Sequence, residues 1–388
     1  MGSELAIKSV RHWVVHVPLR QPLAWASGVR EGSTRLICEV QTAGGVKGYG
    51  ESICLHDFVP AVFEKVVVPI ARRLAVTEAE RLWRHAEGAG YYHHKRALVF
   101  AASALEMAMW DALGKHAGLG LHEMWGGAYR RELQLCAYVY LSDPAGAAAE
   151  IAAYQEEGYR SFKLKVGRSP AEDLALVAAA RKQLGPDAQL RIDPNGAWTP
   201  ATAKRMLEKL RPYDLQYVEQ PLIVEDLAGL AELRRASPVP ICIDEGAYTL
   251  QETLAAIRLG AADVVLVDPH EAGGLWQCLK TAAVAEAAGI HVGFHSGGEL
   301  GLTQAANLQL AASMPNATVA LDTIYQHHAD DVLAKRIPFA NGRAKLPAGP
   351  GLGVEVDLDR VEKLATDEIR GAYLNPSQPA WFAEKPAY

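Results

Sequence analysis

From residue 133 onward, apolar and polar positions alternate in short runs, and each run is followed by a longer segment with apolar residues every third or fourth position. Period two marks strands and period 3.6 marks amphipathic helices. The short runs predict strands at 133–141, 161–167, 188–193, 215–219, 239–244, 263–268, 291–295 and 319–323. The Ala- or Leu-rich segments between them predict helices at 144–158, 170–184, 199–211, 225–236, 249–259, 274–288 and 300–313. Sequential β-α repetition of this length requires a parallel sheet.

Eight strands with helices between them predict a closed (β/α) barrel of the TIM type. A doubly wound open sheet competes, but no G-x-G-x-x-G follows the first strand. Residues 4–50 read differently, as antiparallel sheet: Leu5 to Val17, Thr34 to Thr42, a turn at 43–46, and a strand closed by Gly48-Tyr49-Gly50-Glu51. Between them a loop is expected over 20–32, rich in Pro, Gly and Trp. Segments 60–74, 77–87 and 95–117 have helical periodicity. The tail, 337–388, is not another βα unit; it holds Gly349-Pro350-Gly351-Leu352-Gly353 and then the alternating Val354 to Asp357. The expected fold class is therefore α/β: a modified (β/α) barrel over 131–336, an α+β capping domain over 1–130, and a C-terminal segment, 337–388, that returns to complete the cap.

In such a barrel the C-terminal ends of the strands face the active-site mouth. Reading only those ends gives Lys163 and Lys165, then Asp193, Glu219, Asp244 followed by Glu245, Asp268, His295 and Asp322. Lys163 and Lys165 lie two apart on Ser161–Gly167 and so share a face. A solvent-facing edge strand would explain two lysines alone. It does not explain ionisable residues on every strand end from the second to the eighth.

Asp193, Glu219 and Asp244 come from consecutive strands, about one βα unit apart. Neighbouring strands lie roughly 4.8 Å apart, so the three carboxylates repel unless a cation separates them. Hard oxygen donors without Cys select Mg²⁺ over zinc. Local helix capping or a plain turn at Asp193-Pro194-Asn195-Gly196 is the alternative for single members of the set. Glu245 competes with Asp244 for the third position. Across the mouth, Asp268 can orient the imidazole of His295 from the adjacent strand for proton transfer. A lone His there would cap the following helix, but with Asp268 one strand away a general base or acid is expected. Lys165 must be neutral to take a proton: Lys163 and burial lower its pKa, and the nearby acids raise it.

The net charge of −6 offers no basic footprint for nucleic acid. The five cysteines are scattered without a C-x-x-C pair, which fits a reducing cytoplasm. No secretory signal is seen, and no apolar stretch is expected to reach membrane-span length. The partner expected is a small carboxylate, with no nucleic acid and no membrane, in a homo-oligomer.

The strand-end set resembles the enolase superfamily in its mandelate racemase subgroup. The stretches that carry this are Phe162-Lys163-Leu164-Lys165, Asp193-Pro194-Asn195-Gly196-Ala197-Trp198, Asp268-Pro269-His270, His295-Ser296, Leu321-Asp322-Thr323 and Pro350-Gly351-Leu352-Gly353-Val354-Glu355. Within that subgroup the barrel motifs look most like glucarate dehydratases. The resemblance implies Mg²⁺ on Asp193, Glu219 and Asp244 or Glu245. It implies Lys165 on one face of the substrate α-carbon and His295, held by Asp268, on the other. Lys163 would lie beside the substrate carboxylate, Asp322 would help to bind it or stabilise the enolate, and Asn195 would contact the metal-bound substrate. The chain departs from glucarate dehydratases at Gly297-Gly298-Glu299, where they have an Asn-rich run, and the 20–32 segment, with Leu23, Ala24 and Trp25, is apolar for a polyol site. Trp25 and Tyr91 are expected to line the mouth. The expected function is dehydration of a hydroxy-carboxylate (acid sugar) to a 2-keto acid. Racemisation, epimerisation or cycloisomerisation of a less polar carboxylate is the alternative, and a non-catalytic acid-binding barrel a more distant one.

Overall fold

The structure is a computed structural model that describes residues 3–26, 28–140 and 142–369, the side chains of residues 3 and 91–94 excepted. The N-terminal sheet holds β1 (Ile7–Trp25), β2 (Gly28–Thr42) and β3 (Lys47–Ile53), all antiparallel. The 20–32 segment is not an open loop. Leu23, Ala24 and Trp25 pair with Arg30, Val29 and Gly28 as the far end of the β1–β2 hairpin, past a register shift after Pro18.

Helices α1 (Phe58–Val62) and α2 (Val68–Ala71) flank a π turn, and α3 (Ala79–Ala117) follows as one 39-residue helix. The break expected between 87 and 95 is absent. Gly88 and Gly90 each cost about 1 kcal/mol in a helix interior. That is small beside the burial of Leu98, Ala101, Leu105, Ala108 and Ala112. Contrary to the sequence expectation, Lys95–Ala117 is long and apolar enough to cross a membrane; 83% of its most apolar window is buried inside the protein.

The barrel strands are β4 (Glu132–Val139), β5 (Ser161–Lys165), β6 (Gln189–Asp193), β7 (Val218–Glu219), β8 (Ile241–Ile243), β9 (Val264–Val267), β10 (His291–Phe294) and β11 (Leu321–Asp322). They pair in parallel from β4 through β10, and β11 returns to pair with β4. Around them lie α4 (Leu121–Met124), α5 (Pro144–Glu156), α6 (Pro170–Leu184), α7 (Pro200–Leu210), α8 (Leu227–Ala236), α9 (Leu250–Leu259), a short α10 (Pro269–Ala272), α11 (Leu275–Ala287) and α12 (Gly301–Ser313). After the barrel, β12 (Phe339–Ala340) and β13 (Arg343–Lys345) form a hairpin that pairs antiparallel with β4. The chain then bridges Gly351 to Gly120 and Ala365 to Val15, with α13 (Leu358–Leu364) against β1.

Helices α5 to α9 carry their own N-caps: Asp143, Ser169, Thr199, Asp226 and Thr249 each accept from a backbone N–H of the first turn. Helices α11 and α12 do not, because Gly274 and Leu300 have no side-chain acceptor. The first part of the chain supplies the acceptors instead. Glu106 of α3 accepts from Leu275 N at 2.7 Å and Trp276 N at 2.9 Å. Glu51 of β3 accepts from Leu300 N at 2.7 Å and Thr303 N at 3.0 Å. Burial pushes both carboxyls up to about 7 against these hydrogen bonds. Gly274 is required here: its φ is +128°, and a methyl on it would overlap the Glu106 carboxylate.

Replacing Glu106 by Ala leaves the Leu275 and Trp276 amides without their partner. We expect a loss of about 2 kcal/mol in unfolding free energy, read by chemical denaturation, with Glu106→Gln keeping part of it. An unchanged midpoint for Glu106→Ala would show that α11 does not depend on this cap.

Candidate active site

Alternation on the barrel strands turns every second side chain inward. The inward set on β5 and β6 is Lys163, Lys165, Arg191 and Asp193; Glu219 on β7, Tyr217 just before it and Asp322 on β11 join them. Lys163 is fully buried. Its Nζ donates to Glu219 Oε1 and, at 3.1 Å, to Asp322 Oδ2, and lies 3.3 Å from Asp193 Oδ2. Burial pulls its pKa down, but Asp322 and Glu219 outweigh this and hold it well above the ordinary lysine range. Arg191 donates to Asp322 Oδ1 and to the Ala320 carbonyl, with its guanidinium 5.3 Å from the Tyr217 ring centre. Tyr138 completes the layer by donating to Asp322 Oδ2 at 3.0 Å.

Lys163 and Asp322 are buried and do not line the cavity, as Asp193, Glu219 and Asp244 also do not; Tyr138, which bonds Asp322, does. Lys165 does line it. Its Nζ donates to Asp193 Oδ2 at 2.5 Å and Asn195 Oδ1 at 3.1 Å. Asp193 also accepts from Asn195 N at 2.8 Å, so the turn and the lysine contact share one carboxylate. Asn195 has φ +47°, a left-handed conformation that Asn tolerates, and its Nδ2 donates to Glu245 Oε1 at 2.9 Å.

His295 takes a different partner from the one expected. Its Nδ1 lies 2.9 Å from Asp244 Oδ2, whereas Asp268 accepts from the backbone N of His270 at 2.7 Å and caps α10. Asp268, at the end of the neighbouring strand β9, is engaged by the His270 amide, and the imidazole reaches past it to Asp244 at the end of β8. Burial opposes the charged imidazole, but Asp244 and then Asp268 push His295 up to about 10. Tyr248 stands edge-on to it at 5.8 Å.

The cavity above is about 500 Å³. Its floor and walls include Lys165, Asn195, Gln220, Glu245 and His295. Its roof comes from the hairpin end and the N-terminal helices, through Leu23, Trp25, Arg30, Ile53, Arg96 and Phe100. Trp25 is thus at the cavity; the side chain of Tyr91, on α3, lies outside the described residues. Sequence reading missed Arg191, Gln220 and Arg30. Arg191 was legible, because it sits two residues before Asp193 and shares its face. Gln220 was not: it has φ +32°, and its Oε1 accepts from Asp244 N and Gly246 N, both at 3.1 Å. Strained non-glycine backbone of this kind persists where surrounding bonds over-determine it.

Residues 8–126 match the family described as mandelate racemase / muconate lactonizing enzyme, N-terminal domain, and 146–361 match the enolase C-terminal domain-like family. The chain belongs to the mandelate racemase / muconate lactonizing enzyme family of the enolase superfamily. It is 32% identical to muconate cycloisomerase 1 of Rhodococcus opacus over 93% of this chain and 98% of that protein. It is 31% identical to a probable glucarate dehydratase of Streptomyces coelicolor, over 93% of this chain and 91% of that one. An enolase from Mycobacterium smegmatis, solved in complex with tartrate, superposes with a TM-score of 0.89 at 27% identity, covering 98% of both chains. Members named for different reactions match at similar identity, so the glucarate dehydratases are not singled out. The chain is an enzyme of this superfamily.

Family membership implies a divalent cation, and the side chains can be tested for it. Glu219 Oε2, Asp244 Oδ1 and Glu245 Oε2 are buried without a hydrogen-bond partner. Burial, with repulsion from Asp193 and Asp244, holds the Glu219 carboxyl well above its usual range. Burial and Asp244 push Glu245 up to about 7. These hard oxygen donors fit Mg²⁺ in type and strand position. Among the described residues no three acidic, imidazole or thiol groups already surround one point, and the two lysines take the remaining oxygens of Glu219 and Asp193. Asp244 shares its other oxygen with His295 and Glu245 with Asn195, so both stay in the donor set.

The buried layer predicts a stability effect. Asp322→Asn leaves Lys163 and Arg191 without their shared carboxylate, and removing one partner of a buried pair costs about 3–5 kcal/mol. Denaturant unfolding of the variant checks it; a loss under 1 kcal/mol would mean the two cations are not neutralised by Asp322.

Proposed function

We propose that this enzyme is a Mg²⁺-dependent dehydratase of a hydroxy-carboxylate, an acid sugar, giving a 2-keto acid. The observation that carries this reading is that Lys165 and His295 open into one cavity beside carboxylate oxygens that lack partners. The likeness of the barrel motifs to glucarate dehydratases supports it, as does the tartrate-bound relative, whose ligand is a hydroxy-diacid.

A divalent cation on Asp193, Glu219 and Asp244 or Glu245 would stabilise negative charge that develops on a substrate carboxylate. The chain's own groups do the rest. Asn195 holds Lys165 Nζ and Glu245 at fixed places at the edge of the floor. Lys165, when neutral, takes the α-proton from one face. His295, held protonated by Asp244, gives a proton to the departing β-hydroxyl, which leaves as water. The resulting enol tautomerises to the 2-keto acid. The aromatic and aliphatic roof keeps bulk water from the α-carbon. Lys163 acts from below: it keeps Glu219 and Asp193 fixed and partly neutralised.

A second reading is favoured by the roof. Leu23, Trp25, Ile53, Leu55 and Phe100 are apolar, and racemisation or cycloisomerisation of a less polar carboxylate would use the same two proton-transfer groups. Incubation with a panel of acid sugars, assayed for 2-keto acid, separates the two. Keto acid supports dehydration, whereas solvent deuterium at the α-carbon without keto acid favours the second reading.

In the dehydratase, Lys165→Ala and His295→Asn should each lower kcat by about 10²–10⁴-fold. His295→Asn should retain α-proton exchange through Lys165, followed by NMR in deuterated water. Wild-type turnover in the double variant would sink both assignments. For the cation, Asp193→Asn combined with Glu219→Gln should abolish Mg²⁺ binding measured by calorimetry; unchanged affinity would contradict the donor set.

A further inference from the structure

Among the described residues, the roof of the cavity contains one cation, Arg30, with no carboxylate partner. Arg96 is paired with Glu271 at 2.7 Å, and Lys165 with Asp193 at 2.5 Å. Arg30 also lines the cavity, but among the described residues no carboxylate lies within ion-pair distance of it. Its Nη1 donates to the Gly297 carbonyl at 2.5 Å, and its guanidinium lies 5.6 Å from the Trp25 ring centre. That carbonyl is shared, because Arg35 Nη2 donates to it as well. Arg35 has Glu51 at 3.5 Å. Burial and then the like charge of Arg30 bring Arg35 down to about 10. Burial and the same two guanidiniums keep His328 neutral. A neutral carbonyl cannot balance two guanidiniums, and a guanidinium presents a fork of donors suited to a carboxylate.

The loop beneath is shaped for this pair. Gly298 has φ +90°, and a methyl on it would overlap Arg30 Nη1 and lie 2.6 Å from Ser33 Oγ and 2.8 Å from Arg35 Nη2. Gly298 makes room for two guanidiniums. The cavity is thereby polarised, with the Glu245 carboxylate, one oxygen of which has no partner, at the floor and the Arg30 guanidinium at the roof.

We propose that Arg30 binds a second, distal carboxylate of the substrate, and that it is the residue by which this enzyme selects dicarboxylates over monocarboxylates. The inference rests on the reading of this cavity as the substrate site, and it names the substrate class. One carboxylate would lie at the acidic floor with the cation and the other at Arg30, and the apolar walls between them would pack the carbon chain.

Adipate and hexanoate test it, since both have six carbons and neither carries a hydroxyl to eliminate. Binding to the full-length protein is measured by calorimetry in the presence of magnesium chloride. Arg30→Gln should weaken adipate at least tenfold and change hexanoate less than about twofold. Arg30→Lys, which keeps the charge and loses the fork, should fall between. Thermal melting confirms that the variants are folded, because Arg35 still holds the Gly297 carbonyl. Equal weakening of both acids, no change in either, or no measurable adipate binding to the wild type overturns the proposal. Dehydration is read separately. A protein that passes the binding test yet makes no 2-keto acid from any aldarate keeps the Arg30 subsite and loses the dehydratase reading.

Discussion

Lys163, Lys165 and Arg191 stand inside a closed barrel, and a buried cation is tolerated only where carboxylates neutralise it in place. None of them finds its acid nearby in sequence. Lys165 meets Asp193 across 28 residues, Lys163 meets Glu219 across 56 and Asp322 across 159, and Arg191 meets Asp322 across 131. The last two contacts exist only because β11 returns to β4. Closure of the ring and neutralisation of the charges are thus one condition. The register of β5 and β6 is held by it as well, since a one-residue slip would turn four charged side chains into the apolar layer outside.

The N-terminal elements are tied to the barrel by a similar exchange. Helices α11 and α12 begin at Gly274 and Leu300, which cannot cap them, and Glu106 and Glu51 do so from α3 and β3. Arg35 lies beside Glu51 and shares the Gly297 carbonyl with Arg30. The contact that caps α12 is therefore continuous with the roof of the cavity. Packing the first sheet onto the barrel and forming the upper wall of the site are the same event. This also accounts for the hairpin end over 20–32: its paired backbone satisfies its own donors and acceptors where an open loop over an apolar cavity would leave them exposed.

Much of this was legible in the chain. All eight barrel strands and the seven long helices lie where the switch between period two and period 3.6 puts them, and the ionisable strand ends converge because a parallel barrel puts like ends together. Three kinds of information were not legible. Continuity of α3 through Gly88 and Gly90 depends on burial of the segments either side, which outweighs local propensity. The partner of His295 depends on which carboxylate is already engaged: strand adjacency points to Asp268, but the His270 amide holds it and the imidazole meets Asp244. The complete burial of Lys163 and Asp322 depends on the barrel interior: both sit at strand ends by sequence, and Arg191 and Tyr138 pack and bond around them. Arg191 itself was available to the same alternation argument that found Asp193.

These layers divide the constraints on the site. The floor is bound to the fold, because Asp193, Glu219 and Asp322 balance cations that cannot move without unfolding the barrel. It leaves little room for change, and an arrangement of this kind suits the one step that relatives named for different reactions would share, removal of a proton beside a carboxylate. The roof has no such debt. Leu23, Trp25 and Arg30 hang on a hairpin end whose register already shifts between Pro18 and Leu23, so side chains there can be exchanged without disturbing the ion layer. Arg30 is the exception that ties roof to floor, through the Gly297 carbonyl two residues beyond His295. A ligand drawn to Arg30 would bear on the loop that carries His295. On the proposal that Arg30 binds a distal carboxylate, recognition of the far end of a substrate and placement of the imidazole would be mechanically linked, with Gly298, which has no room for a side chain beside the two guanidiniums, as the joint.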